Sequence, residues 1–437
     1  MGCARSIWNA KVEEERYYRT YARKYCTIGT YAPIDQTTSQ FKSKELSPWL
    51  SECPSQILRN SAVNWYQTYQ KFMSGKCGRP KRKPKTDKGS IYLTREVFRF
   101  DHCDDGNVRL FIGTKTNNIG YLSFKAHGKF EIPNSLYVRK ERGHYYVSFC
   151  YEQGQPDRKL STNEEHLAFL QGATREYLEE HTTGVDRGVA IPVCAGEQTY
   201  DFTHSQKKNM SKADRYIKRL QRKLARQQKG SNRRAKTKHR IAVHHAKKAN
   251  IRNDFAHKTS RLLVDSSAKI IVFEALRTAR MTRRPKAKQD EQGRFISNKA
   301  KQKAGLNKSI LNVGWHVIET YTYYKAYSSS KAVFKIPAPT TSQECAKCGH
   351  THPDNRKTQA LFVCGNCGNT DNADHNASLV IKKRAINLIL DTGTVLSGDG
   401  VLRTQSDSGR GGNRKTGRAK SSTSSAQRSV KKEKLAA

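Results

Sequence analysis

Hydrophobic and polar positions repeat along this chain with two different periods, and each period predicts a different kind of structure. Apolar side chains recur at helical spacing in residues 2–26 and 56–73, which predicts two amphipathic helices. In residues 90–151 the pattern changes to short β segments separated by Asn, Gly and Asp turns, which predicts a small antiparallel barrel or sandwich. The predicted β segments are residues 108–112, 120–124, 135–139 and 144–151.

The second half of the chain alternates apolar β runs with helical patterns, which predicts an α/β domain beginning at Thr183. Four successive apolar residues before Glu274 are typical of a central strand that is buried on both faces. The predicted elements are strands at 184–193, 269–274 and 333–336, a basic helical hairpin at 211–252 that breaks near Gly230, and helices at 256–268, 310–327 and 377–390.

Four segments lack a regular pattern. Seven Lys and Arg side chains between residues 76 and 88, interrupted by Gly and Pro, predict a basic loop that contacts phosphate. Residues 153–182 are acidic and partly helical, and we interpret them as a linker or insert. Residues 277–308 are polar, basic and expected to be mobile, and the tail from residue 399 to 437 is expected to be basic and disordered.

The charge narrows the possible partners. With 81 Lys and Arg against 38 Asp and Glu, the formal net charge is +43, which indicates a polyanionic partner. A secreted cationic protein and a ribosomal protein are the alternatives, and cysteine usage argues against the first and length against the second. Eleven scattered cysteines suit a reducing compartment. Without a signal peptide or a membrane-spanning run, we expect a cytoplasmic protein, nucleoid-associated when bound to DNA.

Two C-x2-C pairs stand at the separation of a zinc ribbon. Cys345 and Cys348 form the first pair, and Cys364 and Cys367 form the second. Each pair offers two thiolates to one tetrahedral ion, and a glycine follows each pair where a tight turn is needed. Asp374 comes seven positions after the last cysteine, just before a predicted helix. An isolated structural ribbon with an incidental aspartate is the alternative interpretation.

Three acidic residues stand out because of their surroundings. Asp186 lies inside a predicted apolar strand, Glu274 ends a predicted central strand, and Asp374 precedes a helix. A carboxylate among apolar residues is costly unless something neutralises it. Taken singly, the three have ordinary explanations as a cap, an ion pair and a turn residue. Taken together, they predict hard oxygen ligands for Mg²⁺ or Mn²⁺ and a two-metal site that hydrolyses phosphodiesters.

The motifs around these residues resemble a known family. G-V-D-R-G-V, then V-F-E-A-L, then T-S-Q-E-C-A-K-C-G-H, P-D-N-R, F-V-C-G-N-C-G and N-A-D-H-N-A follow one another in order between Thr183 and Leu390. They are similar to the three RuvC motifs and the zinc ribbon of the TnpB family, which insertion sequences encode and which is related to type V CRISPR effectors. Upstream the likeness is looser: residues 2–9 resemble the first recognition-lobe helix, and residues 90–151 resemble the wedge barrel.

The resemblance implies an α/β multidomain fold. An RNase H-like RuvC domain with an inserted zinc ribbon would follow a helical recognition lobe and a small β-barrel wedge domain. Family members usually have a strand before the first helix, and this chain starts at Met1, so we expect the first wedge strand to be missing. The implied domains are a recognition lobe at 1–89, a wedge at 90–152, a linker at 153–182, the RuvC-like domain at 183–344 and 371–398, a ribbon at 345–370, and a tail at 399–437.

The resemblance also implies a function. The protein would be an RNA-guided DNA endonuclease encoded by a transposable element, cutting double-stranded DNA beside a short flanking motif. Asp186, Glu274 and Asp374 would be catalytic ligands of Mg²⁺ or Mn²⁺, while Cys345, Cys348, Cys364 and Cys367 would hold one Zn²⁺. A guide RNA from the transposon end would be bound by a protein expected to be monomeric and without membrane contact. A catalytically silent RNA-guided repressor, a miniature type V CRISPR effector and a guide-free junction resolvase are the alternatives.

Overall fold

The fold is α/β and comprises more than one compact unit. Contacts divide the chain into one unit of Met1–Arg158 with Leu220–Val243, and a second of Lys159–Arg219 with His244–Ala437. No helix in the described part of the chain is long and apolar enough to cross a membrane. This computed structural model describes residues 1–25, 36–85, 88–102, 107–126, 130–141, 143–150 and 160–404.

The first unit begins with the two predicted amphipathic helices. Helix α1 (Gly2–Tyr17) continues through a π-helical turn, Tyr18–Ala22, into the short α2 (Arg23–Tyr25). Helix α3 (Ser55–Met73) packs against α1. Ile7 of α1 and Leu58 and Ala62 of α3 are buried in one core, and the predicted helix at 56–73 is confirmed.

Six strands follow α3 and form two separate antiparallel sheets. One sheet has the order β1-β5-β6 and the other β2-β3-β4. Among the described residues the two sheets do not join into a closed barrel. Alternate residues along the strands, such as Leu93, Leu110 and Leu136, are fully buried in the same core as α1 and α3. The strands are β1 (Gly89–Thr94), β2 (Phe98–His102), β3 (Asn107–Gly113), β4 (Asn118–Lys125), β5 (Ser135–Glu141) and β6 (His144–Phe149).

The second unit is built on a five-stranded sheet of order β13-β10-β7-β8-β9. Strand β10 lies between two parallel neighbours, β7 and β13, and all five of its residues are buried. This burial explains the uninterrupted apolar run in its sequence. Strands β8 and β9 continue the sheet in antiparallel pairing. The strands are β7 (Thr182–Asp186), β8 (Val193–Ala195), β9 (Gln198–Tyr200), β10 (Ile270–Glu274) and β13 (Ala332–Ile336).

Helices cover both faces of this sheet. On one face, residues of α7 and α10 such as Phe255, Leu263 and Ile318 form a core with the strands, and on the other face Ile381 and Ile389 of α11 do the same. The helices are α4 (Asn163–Gln171), α5 (Arg175–His181), α6 (His204–Ala225), α7 (Asn232–Asp265), α8 (Thr278–Met281), α9 (Ala300–Val313), α10 (Trp315–Ser328) and α11 (Ala373–Leu390). The remaining strands are β11 (Lys288–Gln289), β12 (Phe295–Ile296), β14 (Leu361–Val363), β15 (Thr370–Asn372), β16 (Thr394–Leu396) and β17 (Leu402–Thr404).

Several predicted boundaries are wrong. The strand expected at 184–193 stops at Asp186, because the chain turns tightly at Gly188, where a Cβ would press on the carbonyl of Ile191. The single helix expected at 310–327 is two helices that meet at Gly314, whose φ of 79° is left-handed. Residues 277–308, for which the sequence predicted no regular element, contain α8, β11, β12 and part of α9.

The C-terminal elements differ from the prediction in the same way. Helix α11 begins four residues before the predicted start at Ala377, so Asp374 lies in its first turn. The tail was expected to be disordered from residue 399, but β17 forms an antiparallel pair with β16 at Leu402–Thr404. Residues 405–437, on which the rest of that prediction depends, lie outside the described part of the chain.

Candidate metal centres

Two of the three predicted acids end neighbouring parallel strands. Asp186 is the last residue of β7 and Glu274 the last residue of β10, and the register pairs Phe273 with Val185 one position earlier. The two carboxylates therefore emerge side by side at the carboxyl edge of the sheet, on strands about 4.8 Å apart. Glu274 is buried, with 6% of its surface exposed, and Asp186 is half-buried.

Helix α11 carries the third acid to the same edge. The side chain of Asn372 caps this helix by accepting hydrogen bonds from the backbone N–H groups of Asp374 (2.9 Å) and His375 (3.3 Å). One turn further on, the Ser378 hydroxyl donates to the carbonyl of Gly184 in β7 at 2.9 Å. The helix thus lies directly against the strand that ends at Asp186.

The close approach of α11 to β7 depends on a glycine. A Cβ at Gly184 would collide with the backbone oxygen of Ser378 and would stand 2.7 Å from the backbone nitrogen of Lys382. The glycine of the G-V-D motif therefore permits backbone contact between strand and helix. This contact fixes the first turn of α11, including Asp374, relative to Asp186.

The pKa values of all three acids are raised. Burial and the neighbouring Glu274 and Asp374 carboxylates raise the pKa of Asp186 to about 7. Burial also raises the pKa of Glu274 and of Asp374. Each shift means that the negatively charged form is disfavoured where it stands. The positive charges near the cluster are therefore too few to neutralise its three carboxylates. Carboxylate oxygens are hard donors, which are the ligands that Mg²⁺ and Mn²⁺ prefer.

Each of two acids already has a hydrogen-bond donor. Arg356 Nη2 donates to Asp374 Oδ1 at 3.1 Å, and the Thr341 hydroxyl donates to the Glu274 carboxylate. Thr341 lies four residues before the first cysteine, and Arg356 lies between the two cysteine pairs. Arg356 belongs to the P-D-N-R stretch, but nothing in the sequence indicated that it would contact Asp374.

A buried arginine next to Asp186 links the strand ends to α10. Arg187 donates to Glu319 at 2.7 Å and also to the backbone carbonyl of Glu274. Lys335 of β13 donates to the other oxygen of Glu319 at 3.1 Å. Although burial raises the pKa of Glu319, Arg187 and Lys335 together lower it below its usual range. The sequence predicted no role for Glu319, because its partners are far away in the chain.

The four predicted cysteines converge on one point. Among the described residues they are the only set of three or more His, Cys, Asp and Glu side chains whose ligating atoms all lie within 4.8 Å of one another. Cys345 and Cys367 Sγ atoms are 3.7 Å apart, and Cys348 and Cys364 Sγ atoms are 3.5 Å apart. Thiolates around a tetrahedral zinc ion, at about 2.3 Å from the metal, are about 3.8 Å apart. The group could therefore hold such an ion.

Glycine turns and a buried asparagine build this cluster. Gly349 and Gly368 follow the two pairs with left-handed φ angles of 77° and 67°. Asn355, which is 1% exposed, donates to the carbonyls of Gln343 and His350 and accepts from the N–H of Gly365 at 3.0 Å. These bonds hold the two cysteine turns together.

The cysteine cluster is also attached to α11. The side chain of Asn376, which is fully buried, donates to the carbonyl of Glu344 at 2.7 Å and accepts from the N–H of Ala346 at 3.0 Å. Asn376 stands two residues after Asp374. The structure that holds the cysteines therefore also fixes the helix that carries the third acid.

The three carboxylates are less tightly gathered than the thiols. Their oxygens do not form a group within 4.8 Å among the described residues. Two oxygens bound to opposite sides of one Mg²⁺ would be about 4.2 Å apart, at about 2.1 Å from the ion. Oxygens that share a pair of ions about 4 Å apart can stand farther from one another. The observed arrangement does not fit one ion bound by all three.

Two family models match the segments that carry the acids and the cysteines. The family model described as "Probable transposase" matches residues 148–284, which include Asp186 and Glu274. The model described as "Cas12f1-like, TNB domain" matches residues 315–381, which include the four cysteines and Asp374. A protein of Escherichia coli K12 named "Putative RNA-guided DNA endonuclease InsQ" is 28% identical over 379 residues, covering 86% of this chain and 85% of that protein. The predicted resemblance to the TnpB family is confirmed.

This TnpB-like chain is also similar to a CRISPR-associated protein and to a solved structure. The "CRISPR-associated endodeoxyribonuclease Cas12f1" of Sulfoacidibacillus thermotolerans is 27% identical over 263 residues, 57% of this chain and 53% of that protein. A solved structure titled "Cryo-EM structure of the Cas12f1-sgRNA-target DNA complex" has a TM-score of 0.32 at 12% identity, covering 87% of this chain and 92% of the other.

Proposed function

We propose that this protein is an RNA-guided DNA endonuclease encoded by a transposable element. One observation carries the proposal: Asp186 and Glu274 end neighbouring parallel strands, and Asp374 lies in the first turn of the helix that packs against β7, so three acids far apart in the chain meet at one edge of the sheet. The InsQ and Cas12f1 relatives bear names of RNA-guided or CRISPR-associated DNA endonucleases, which supports the same activity for this chain.

The architecture would be that of a RuvC-type nuclease. In this proposal the five-stranded sheet with α11 is the RNase H-like core, the cysteine segment is an inserted zinc ribbon, and the two three-stranded sheets are the wedge domain. Helices α1 and α3 would belong to the recognition lobe. The second compact unit, which contains this sheet, begins at Lys159.

Asp186, Glu274 and Asp374 would hold Mg²⁺ or Mn²⁺, and the four cysteines would hold Zn²⁺. When bound, the divalent ions would activate water and stabilise the leaving oxygen of a phosphodiester. The residues around the acids keep them in place. Thr341 orients Glu274, and Arg187 holds the backbone at the end of β10. Arg356 offsets part of the rise that burial causes in the pKa of Asp374.

The excess positive charge would hold the nucleic acids. With a net charge of +43, the protein offers many phosphate contacts that carry no sequence information. The hairpin of α6 and α7 concentrates such charge, and most of its Lys and Arg side chains are exposed. We infer that the protein binds the sugar–phosphate backbone of the guide–target duplex. Base pairing then determines the target sequence, and the protein itself recognises only a short flanking motif.

The test is cleavage by the reconstituted complex. The full chain, RNA transcribed from the transposon end and a plasmid library with randomised flanks are combined with Mg²⁺. We expect double-strand cuts beside one enriched motif, and no cuts with Asp186→Asn. Glu197→Gln, an exposed acid in the turn between β8 and β9, is the matched control and should cut like the wild type.

The outcomes separate the alternatives. Target binding without cleavage by the wild type would favour the silent repressor. Cleavage without any RNA would favour a guide-free nuclease. Cleavage that Asp186→Asn leaves unchanged would overturn the assignment of the acidic site.

A further inference from the structure

Residues 337–344 connect β13 to the first cysteine pair and bring Thr341 to Glu274. The Thr341 hydroxyl donates to the Glu274 carboxylate, and both residues are buried. The same hydroxyl lies 3.1 Å from the carbonyl oxygen of Ala338. A hydroxyl has one hydrogen to donate, so the exact position of the 337–344 turn decides whether Glu274 or Ala338 accepts it.

The 337–344 turn contains a strained residue. Thr340 has a φ of 64°, in the left-handed region. A β-branched side chain is rare there, because its Cβ crowds the neighbouring backbone. Such a conformation costs free energy and persists only where the surrounding contacts enforce it. On the backbone, the N–H groups of Gln343 (2.9 Å) and Glu344 (3.1 Å) donate to the carbonyl of Thr340.

One arginine of α11 binds this turn at three places. Arg384 Nη1 donates to the carbonyl of Pro339 at 2.7 Å, and Nη2 donates to the Thr340 hydroxyl at 2.9 Å. Its Nε donates to the Glu344 carboxylate at 2.7 Å, so its charge is paired. The planar guanidinium presents these donors in a fixed geometry, which a lysine ammonium cannot reproduce. Arg384 therefore enforces the strained conformation from the side-chain side.

The charge of Arg384 also acts on Glu274. Burial raises the pKa of Glu274, whereas the Thr341 hydrogen bond and several arginines, Arg384 among them, lower it. A lysine at position 384 would keep this charge and lose the three directed bonds. Substitution can therefore separate the influence of Arg384 through charge from its influence through the turn.

Arg384 is too far along α11 to be a ligand of the acidic cluster itself. It comes ten residues after Asp374, which is about 15 Å along a helix axis. Its bonds to the 337–344 turn nevertheless connect it to Glu274 by way of Thr341. Helix α11 thus contributes twice to the cluster, once by carrying Asp374 and once by holding the residue that bonds Glu274.

We propose that Arg384 is a positioning residue for the acidic cluster: it holds the 337–344 turn so that the Thr341 hydroxyl donates to Glu274. The inference rests on the proposed function, since it assigns Arg384 to the divalent-ion site. A carboxylate that is already held in place loses less conformational freedom when it binds an ion, so its affinity is higher. Loss of Arg384 should weaken ion binding and leave the fold intact.

The first test is Mn²⁺ binding by the zinc-loaded full chain, with free Mn²⁺ measured by electron paramagnetic resonance. Binding that remains in Asp374→Asn marks other sites and is subtracted. We expect Arg384→Ala to bind Mn²⁺ about tenfold more weakly, the effect of losing about one hydrogen bond. Lys383→Ala is the matched control, because it removes a positive charge and a bond from α11 to Ala346, outside the turn, and should bind like the wild type.

A conservative variant separates geometry from charge. Arg384→Lys should bind Mn²⁺ as weakly as Arg384→Ala, because the directed bonds are lost in both. Wild-type affinity in Arg384→Lys would overturn the positioning role, since charge alone would then suffice. If Arg384→Ala does not fold, Arg384→Gln, which keeps a long polar side chain, replaces it.

A double-mutant cycle tests the route through Thr341. Thr341→Val removes the hydroxyl with little change in shape, and it should weaken Mn²⁺ binding by itself. If Arg384 acts through this hydroxyl, Arg384→Ala/Thr341→Val should bind no more weakly than the weaker single variant. Losses that add in the double variant would overturn the proposal, because Arg384 would then act independently of Thr341.

The two proposals fail differently. A wild-type complex that cuts its target, with Arg384→Ala binding Mn²⁺ and cutting like Lys383→Ala, would overturn the positioning role and leave the endonuclease standing. A wild-type complex that cuts nothing, yet shows the coupled loss of Mn²⁺ binding at Arg384 and Thr341, would overturn the endonuclease and leave the positioning role standing. Zinc content and thermal unfolding verify that each variant is folded.

Discussion

The cysteine cluster and the acidic cluster gather their ligands in opposite ways. The four thiols come from one short segment, Cys345 to Cys367, and lie close enough for a single tetrahedral ion. The three carboxylates come from two strands and a helix that are distant in sequence, and their oxygens are more widely spaced. Local turns build the first cluster, and only the completed sheet with α11 builds the second.

Electrostatics explains the difference in spacing. A free thiol has an ordinary pKa of about 8.5. In this cluster the backbone N–H of His350 lowers the pKa of Cys348 to about 6, whereas, despite the backbone N–H of Asn369, hydrogen bonds among the thiols raise the pKa of Cys367 to about 12, so the four thiols do not all ionise together.

A carboxylate is ionised at about pH 7, and crowding three of them has a cost. The pKa of Asp186, raised to about 7, records that cost, and the donors Arg356 and Thr341 reduce it for the other two acids. The thiols therefore lie close together in this structure, whereas the carboxylates stay farther apart.

The sharpest test of this contrast removes each metal in turn. Zinc bound by four thiolates contributes about 10–16 kcal/mol in small zinc domains, so stripping it should unfold the ribbon and release Asn376 and Arg356 from their contacts. Withdrawing Mg²⁺ should stop cleavage and leave the ribbon folded. Limited proteolysis between Thr341 and Asn372, together with metal content, measures both. Cleavage between Thr341 and Asn372 after removal of Mg²⁺ alone would contradict the expected independence of the cysteine cluster from Mg²⁺.

The second test separates chemistry from folding at α11. Asp374→Asn should lower the cleavage rate by about 10³-fold or more, because several kcal/mol of metal-dependent stabilisation are lost. The unfolding midpoint should change little. Asp391→Asn makes the same substitution at the exposed far end of α11 and should cut normally. Equal rates for the two variants in a single-turnover assay would remove Asp374 from the site.

The third test moves α11 away from β7. Gly184→Ala places a Cβ against the backbone oxygen of Ser378, and backbone cannot yield as a flexible side chain does. We expect a loss of about 3 kcal/mol or more in the free energy of unfolding, together with loss of cleavage. Gly305→Ala, at a helical position with nothing within 4 Å, is the control and should be neutral or slightly stabilising. Denaturant unfolding compares them.

The sequence predicted the parts of these two sites that depend on a local pattern of residues. Cysteine spacing predicted the thiol cluster, and the apolar run at 270–273 predicted that Glu274 would end a buried strand, as β10 does. The helix start near Asp374 was predicted four residues too late, because Asn372 was not recognised as its cap.

What the sequence did not foretell depends on pairs that are distant in the chain. Arg356 with Asp374, Thr341 with Glu274, and Arg187 with Glu319 meet only after the sheet has formed. No periodicity encodes such pairs. The breaks at Gly188 and Gly314 were missed for another reason: a glycine within an apolar run is compatible with continuing the element and with ending it.

The fourth test follows the charge of the acidic cluster in Mg²⁺-free protein with zinc retained. Because folding raises the pKa of Asp186 from 3.8 to about 7, its contribution to stability is complete below about pH 4 and is lost as the pH rises to about 7. The full difference corresponds to about 4 kcal/mol, and since Asp186 is only half-buried we expect about half of it.

Urea unfolding at about pH 5 and about pH 8 measures this loss. Asp186→Asn should flatten the pH dependence and raise stability at the higher pH, since no carboxylate remains to be ionised there. Mg²⁺ should stabilise the wild type at the higher pH more than it stabilises the variant. If the free energy of unfolding changed with pH equally in both proteins, the surroundings of Asp186 would not raise its pKa.

The smallest expected effect concerns Arg356, the cation that contacts Asp374 before a metal does. Removing it in Arg356→Gln should raise the apparent Mg²⁺ affinity by up to roughly fivefold, because a partly exposed ion pair contributes about 1 kcal/mol or less. Arg356→Lys keeps the charge and should bind Mg²⁺ like the wild type. Magnesium titration of the stability at fixed pH gives the comparison. If Arg356→Gln instead weakened Mg²⁺ binding, Arg356 would be positioning Asp374 for the ion and not competing with it, and the acidic cluster would resemble the cysteine cluster in being prepared in advance.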